Sequence, residues 1–215
     1  MEPDRRPVEV DIRLRLRFRS SYHFRASGAT SGDLDAHLLR RDGQEPLLLV
    51  PGSTLKGRLR DHAARIWNAR PGGEPCVGGD GCPVCLVFGA AGAEPGRLRF
   101  LDALQPIASA ALGIRTHVGL DPATRTAAAH RLYAEEVSPP GLVFEARAVG
   151  YLPAPRARAG LGLLAGAAAL LRTMGGGKSR GLGWVEARPL QARCGPDLLE
   201  PVDLRAAFEQ EVLGR

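Results

Sequence analysis

The chain has 215 residues, 44% hydrophobic and 24% charged, enough to bury a core without disulfide staples and too apolar for intrinsic disorder. Its 29 basic against 23 acidic side chains leave a formal charge of +6, which suits an anionic partner such as nucleic acid and is also met in ordinary soluble proteins. The opening MEPDRRPVEV has no apolar signal region, and no stretch reaches about 18 uninterrupted apolar residues. The expectation is a cytoplasmic protein with no membrane partner.

Residues 8–19, VEVDIRLRLRFR, alternate strictly between apolar and charged positions and predict a half-buried strand with one arginine-rich face, either solvated or in contact with RNA. Residues 20–45 read as a long irregular connection carrying His23, Asp33, Asp35 and His37. A short strand is expected over Leu47–Val50. Ser53 then caps a helix to about Ala69, with Leu55, Leu59, Ala63 and Ile66 as its apolar stripe. The glycine- and proline-rich segment of about 70–96 reads as an insertion, and RLRFLDA returns the chain to the sheet. Further on, residues 142–152 predict a strand, 160–174 a helix and 182–191 a last strand. Such β-α-β units predict an α+β, ferredoxin-like sheet of the RNA-recognition type.

Three motifs carry chemistry. Residues 175–183, GGGKSRGLG, place Gly175, Gly176 and Gly177 before Lys178, Ser179 and Arg180, so that backbone N–H groups and cations can meet a phosphate; the P-loop pattern fails because Arg172 stands where its first glycine belongs. PGSTLKG puts Ser53, Thr54 and Lys56 at a helix N-terminus, where unpaired N–H groups favour an anion. Cys76, Cys82 and Cys85 offer three thiolates, and a structural zinc needs four ligands; His62 is the preferred fourth, with Cys194 as the alternative.

Together, Tyr22-His23, DLDAHLLRRDG, VPGSTLKGRLR, CPVCLVFG, RTHVGLDPATRTAAAHRLYAEE and GGGKSRGLGWVEA resemble the CRISPR-associated RAMP superfamily. Within it the chain looks most like the backbone subunit of type III RNA-targeting effectors, including zinc-bearing type III-D-like versions. The resemblance implies one RNA-recognition-like palm over 1–215, with a zinc-binding insertion at about 70–96 and a β-hairpin thumb at about 113–144. It implies guide RNA, complementary target RNA, other type III effector subunits and copies of the chain or its paralogues as partners. His23 and the two glycine-bearing motifs would contact the guide.

The resemblance further implies that Asp35, with Asp33 as the near neighbour, cuts target RNA with magnesium or manganese, which makes the chain a metal-dependent endoribonuclease. A guide-binding scaffold that does not cut, a zinc-containing nucleic-acid-binding regulator, and a metal-independent processor of guide precursors using His23 or His37 are the competing readings. Zinc is assigned to folding.

Overall fold

The alternation of the first segment becomes a 12-residue strand, β1 (Pro7–Phe18), in which Val10, Ile12, Leu14, Leu16 and Phe18 are buried while the arginines between them face outward. The computed structural model describes residues 6–25, 36–41, 47–70, 75–76, 82–90, 96–106 and 112–214. Strand β1 lies between β8 (Val143–Pro153) and β9 (Val185–Cys194), antiparallel to both, and β4 (Leu98–Phe100) and β10 (Asp197–Leu199) flank them in the order β10-β9-β1-β8-β4. Helices α1 (Gly52–Asn68) and α3 (Ala154–Leu170) pack against each other, and the run β1-α1-β4-β8-α3-β9 is a βαββαβ unit. Its strands stand in the order fourth, first, third, second, the ferredoxin-like arrangement expected from the sequence.

Helix α1 buries Leu55, Leu59 and Ala63 as its stripe predicts, and each buried leucine contributes roughly 1.5–3 kcal/mol. Its start differs from expectation. Pro51, not Ser53, holds the cap position, no side chain of the helix caps it, and Asp102 accepts from Gly52 N at 2.9 Å. That aspartate comes from a break in RLRFLDA: the chain leaves the main sheet after β4 and re-pairs as β5 (Ala103–Pro106) with β3 (Leu47–Val50), itself beside β2 (Arg40–Arg41). Helix α3 begins six residues earlier than predicted, because Pro155 sits in its first turn, where a missing N–H costs nothing.

Strands β6 (Gly113–Leu120) and β7 (Ala127–Val137) form a two-stranded antiparallel hairpin within the segment expected to be the thumb. Within the cysteine segment a six-residue helix, α2 (Pro83–Phe88), is almost wholly buried. The chain ends in α4 (Pro201–Ala207), started by a reciprocal capping box between Glu200 and Asp203, and a π-helical turn over Phe208–Val212 that packs on α3. Among the described residues no helix is long and apolar enough to cross a membrane.

Candidate nucleic-acid interface

Two motifs more than 120 positions apart meet at one cavity of about 680 Å³. Pro51, Thr54 and Arg58 line it from α1, and Gly175, Gly176, Gly177, Lys178 and Arg180 line it from the glycine loop. His23, Phe24 and Arg25 enter from the segment that follows β1, Ala36 and Leu39 from the segment before β2, and Tyr133 and Glu135 from β7. Among the described residues, Arg25, Arg58, Lys178 and Arg180 outnumber the single carboxylate of Glu135, so this lining is cationic.

The glycine loop is held at its neck. Thr173 pairs with Trp184, Met174 N donates to Gly183 O at 2.9 Å, and Gly183 N donates to Ser21 O at 2.7 Å. Gly183 has φ of +72°, and a Cβ there would lie 1.9 Å from Met174 O, so no side chain fits. Gly176 N donates to His23 O at 2.8 Å, which fixes the loop to the histidine. A single turn of 3-10 helix over Lys178–Arg180 then presents both cations, exposed, to the cavity.

His23 is buried, with Nδ1 2.6 Å from the carbonyl of Glu136. A carbonyl only accepts, so Nδ1 carries the hydrogen of this bond. Glu136 is buried at the base of the hairpin and accepts from Leu38 N at 3.0 Å and from Arg40 at 2.9 Å, with His37 Nδ1 4.0 Å away. Glu136 N donates to Ala36 O. Its neighbour Glu135 accepts from His117 at 2.7 Å and from Arg180 at 3.3 Å, while Arg180 also donates to the Tyr133 hydroxyl at 2.6 Å. The hairpin base thus ties the glycine loop to the segment that begins at Ala36.

Of the residues singled out from sequence, His23, Thr54, Gly175, Gly176, Gly177, Lys178 and Arg180 line this cavity. Ser53, Lys56 and Ser179 do not. Lys56 is two positions from Thr54, about 200° around the helix, whereas Arg58 is four positions on and shares the Thr54 face. The cation that PGSTLKG and its continuation bring to the cavity is therefore Arg58, whose Nε is buried without a hydrogen-bond partner among the described residues. Arg25, Tyr133 and Glu135 were also missed; only the i, i+4 spacing of Thr54 and Arg58 could have signalled any of these. Asp33 and Asp35 lie outside the described residues.

Cys76, Cys82 and Cys85 are drawn together, with Cys76 Sγ 3.2 Å from Cys82 Sγ and 3.3 Å from Cys85 Sγ. Tetrahedral zinc at about 2.3 Å from each sulfur needs sulfurs about 3.8 Å apart, so a small outward movement admits the ion, and the group could hold a metal such as zinc. Cys82 caps α2 and its Sγ accepts from Cys85 N at 3.3 Å, a bond that would support a thiolate. In the thiol form, burial and the two neighbouring sulfurs push Cys85 up to about 12.

His62, expected as the fourth ligand, is not gathered into this group among the described residues. Asn68, the last residue of α1, accepts from Cys76 N at 2.8 Å, and His62 lies six residues, about 9 Å of helix, before it. Its Nε2 is buried without a partner among the described residues, and burial together with Arg58 lowers its pKa. Cys194, buried on β9 beside Arg158 and Asp197, also stands outside the group. The described residues supply three ligands.

Fold and cavity together define a ferredoxin-like α+β domain with a cationic, glycine-lined groove between its first helix and its last loop. Residues 15–186 match the family model described as the RAMP superfamily, and the chain belongs to that superfamily. Membership implies CRISPR RNA and other effector subunits as its classes of partner. No curated protein matches the chain.

Proposed function

We propose that this protein is a guide-RNA-binding backbone subunit of a type III CRISPR effector that cuts complementary target RNA. The observation that carries the reading is the convergence of Pro51, Thr54, Arg58 and the glycine loop on one cationic cavity. Backbone N–H groups of the loop, the first turn of α1 and the side chains of Arg58 and Lys178 would hold the guide's phosphates, with His23 beneath. The β6–β7 hairpin would serve as the thumb over a neighbouring copy's guide segment.

Cleavage is assigned to Asp35. Arg25 and Ala36, which border residues 26–35 in the sequence, both line the cavity. A divalent cation, magnesium or manganese, would neutralise charge at the scissile phosphate. The chain's own part is to place the Asp35 carboxylate there while the thumb holds the target with a ribose 2′-OH in line with the adjacent phosphorus. Attack by that oxygen forms its bond to phosphorus, gives up the hydroxyl proton to solvent and breaks the bond to the 5′-oxygen, which takes a proton back from solvent, leaving a cyclic phosphate and a 5′-hydroxyl.

Zinc on Cys76, Cys82 and Cys85 is assigned to folding of the insertion, in keeping with the zinc-bearing type III-D-like variety. The test is cleavage of a complementary RNA by the assembled complex carrying Asp35→Ala or Asp33→Ala. Asp35→Ala should abolish evenly spaced, magnesium-dependent cuts and leave guide binding intact, while Asp33→Ala keeps cutting. Cuts that survive Asp35→Ala would overturn the catalytic assignment, and a complex that never cuts would make the chain a guide-binding scaffold.

A further inference from the structure

The neck of the glycine loop separates the cavity described above from a second one of about 430 Å³, lined by Arg19, Ala169, Arg172, Trp184, Glu186 and Arg188 among others. Arg172 precedes Thr173 and Trp184 is the residue that pairs with it, so both lie at the neck of the loop. Trp184 is 56% exposed, unusual for the largest apolar side chain unless something covers it. Its backbone is fixed on both sides, because Trp184 N donates to Ser20 Oγ at 3.0 Å and Arg19 N donates to Trp184 O at 2.7 Å. The indole is therefore set on a rigid base.

The charges beside it are unbalanced. On the open face of the sheet, Asp11 is taken by Arg147, Glu145 lies 3.6 Å from Arg13, and Glu186 is bound through both oxygens by Arg19. Arg15 lies directly opposite Arg188 on β9 and Glu145 on β8, and Arg17 lies opposite Glu186, whose carboxylate Arg19 already occupies. Like charges facing one another across two strands destabilise the sheet until a polyanion covers them. At the neck, Arg172 spends one guanidinium nitrogen on the carbonyls of Ala169 and Leu171, which aims the group without neutralising it.

We propose that Trp184, Arg188 and Arg172 form a second subsite for single-stranded RNA, continuous with the loop cavity, in which a base stacks on the Trp184 indole and the arginines hold the flanking phosphates. This rests on the reading of the loop cavity as an RNA site. A flat exposed ring beside guanidinium groups fits an unpaired base with its phosphates. A duplex keeps its bases stacked on one another and cannot use the ring, and an acidic peptide would meet the Glu186 carboxylate while leaving the indole uncovered.

The experiment titrates the purified chain with a long single-stranded oligouridylate that can cross both cavities and with a short one that fills only the first. In a Trp67→Phe background Trp184 is the single tryptophan, and its fluorescence should be quenched by the long oligonucleotide. Trp184→Ala should weaken the long oligonucleotide about tenfold, Trp184→Phe should retain most of the affinity, and Arg188→Ala should lower the salt slope by about one ion. Affinity for the short oligonucleotide should stay constant in all three variants. RNA binding that none of these changes alters, or quenching by an acidic peptide but not by RNA, would overturn the second subsite alone. Failure of the unmodified chain to bind either oligonucleotide would also sink the reading of the first cavity.

Discussion

Replacing Gly183 by alanine should cost about 3–4 kcal/mol, and the neck of the glycine loop is where that cost is incurred. Holding alanine in the left-handed region contributes about 1 kcal/mol. A Cβ 1.9 Å from Met174 O must then drive two backbone segments apart by more than an ångström, and neither is a side chain that can swing away. That movement breaks the bonds from Met174 N to Gly183 O and from Gly183 N to Ser21 O, each worth about 1 kcal/mol net and more if its donor is left buried. For a domain of this size the sum corresponds to a fall in Tm of about 6–16 °C. Gly181→Ala is the control, because Gly181 shares a positive φ of +82° but has open space where its Cβ would go, so only the conformational cost of about 1 kcal/mol applies. Thermal and urea melts of the two variants in parallel measure the difference. Equal losses would refute the argument that close backbone approach, not φ alone, demands glycine at the neck.

Other outcomes are open to simpler assays. Asp102→Ala removes the group that accepts from Gly52 N and should lower stability by about 1 kcal/mol, read as a smaller urea midpoint with unchanged slope. His62 is held below its ordinary pKa by burial and by Arg58, so below pH 6.5 the unfolded chain takes up a proton that the folded one resists. Stability should therefore fall as pH drops from 7.5 to 5.5, and His62→Gln should flatten that fall; an unchanged slope would contradict the buried placement of the ring. Metal analysis should find zinc in the unmodified chain and lose it in Cys82→Ser and Cys85→Ser, with lower melting temperatures in both; full zinc content in either serine variant would rule out the thiolate group.

The parts of the fold that could be read from sequence were those with one uninterrupted period. Strand β1 alternates from Val8 to Phe18 and β3 is a bare apolar run between turn residues, so both emerge where expected. RLRFLDA alternates only as far as Phe100; the apolar pair Phe100-Leu101 breaks the period where the chain changes sheets, and alternation carries no record of which strand will be the partner. The short elements α2, β10 and α4 depend on packing against α3 and β9 for their stability, and segments of three to seven residues have too little pattern of their own.

For the site, the glycine loop was visible because five glycines among cations have few structural uses. Arg58 was hidden by reading PGSTLKG as a string instead of a helix face, and Tyr133 and Glu135 arrive on a hairpin whose register only the folded chain defines. His62 stands outside the cysteine group for a related reason. Thirteen residues separate it from Cys76, but six of them run along α1 away from it, so closeness in sequence becomes distance along a rigid rod.

The central claim is that the cavity between α1 and the glycine loop grips the backbone of a single-stranded guide. Its most direct test is to purify the protein from cells that carry its CRISPR locus and to sequence and weigh the RNA that comes with it, for the unmodified chain and for a Lys178→Glu, Arg58→Glu double variant. The account predicts guide-length RNA with a repeat-derived end in the first preparation and its loss from a folded, monodisperse second. Equal amounts of the same RNA in both preparations, or none in the first, would contradict it.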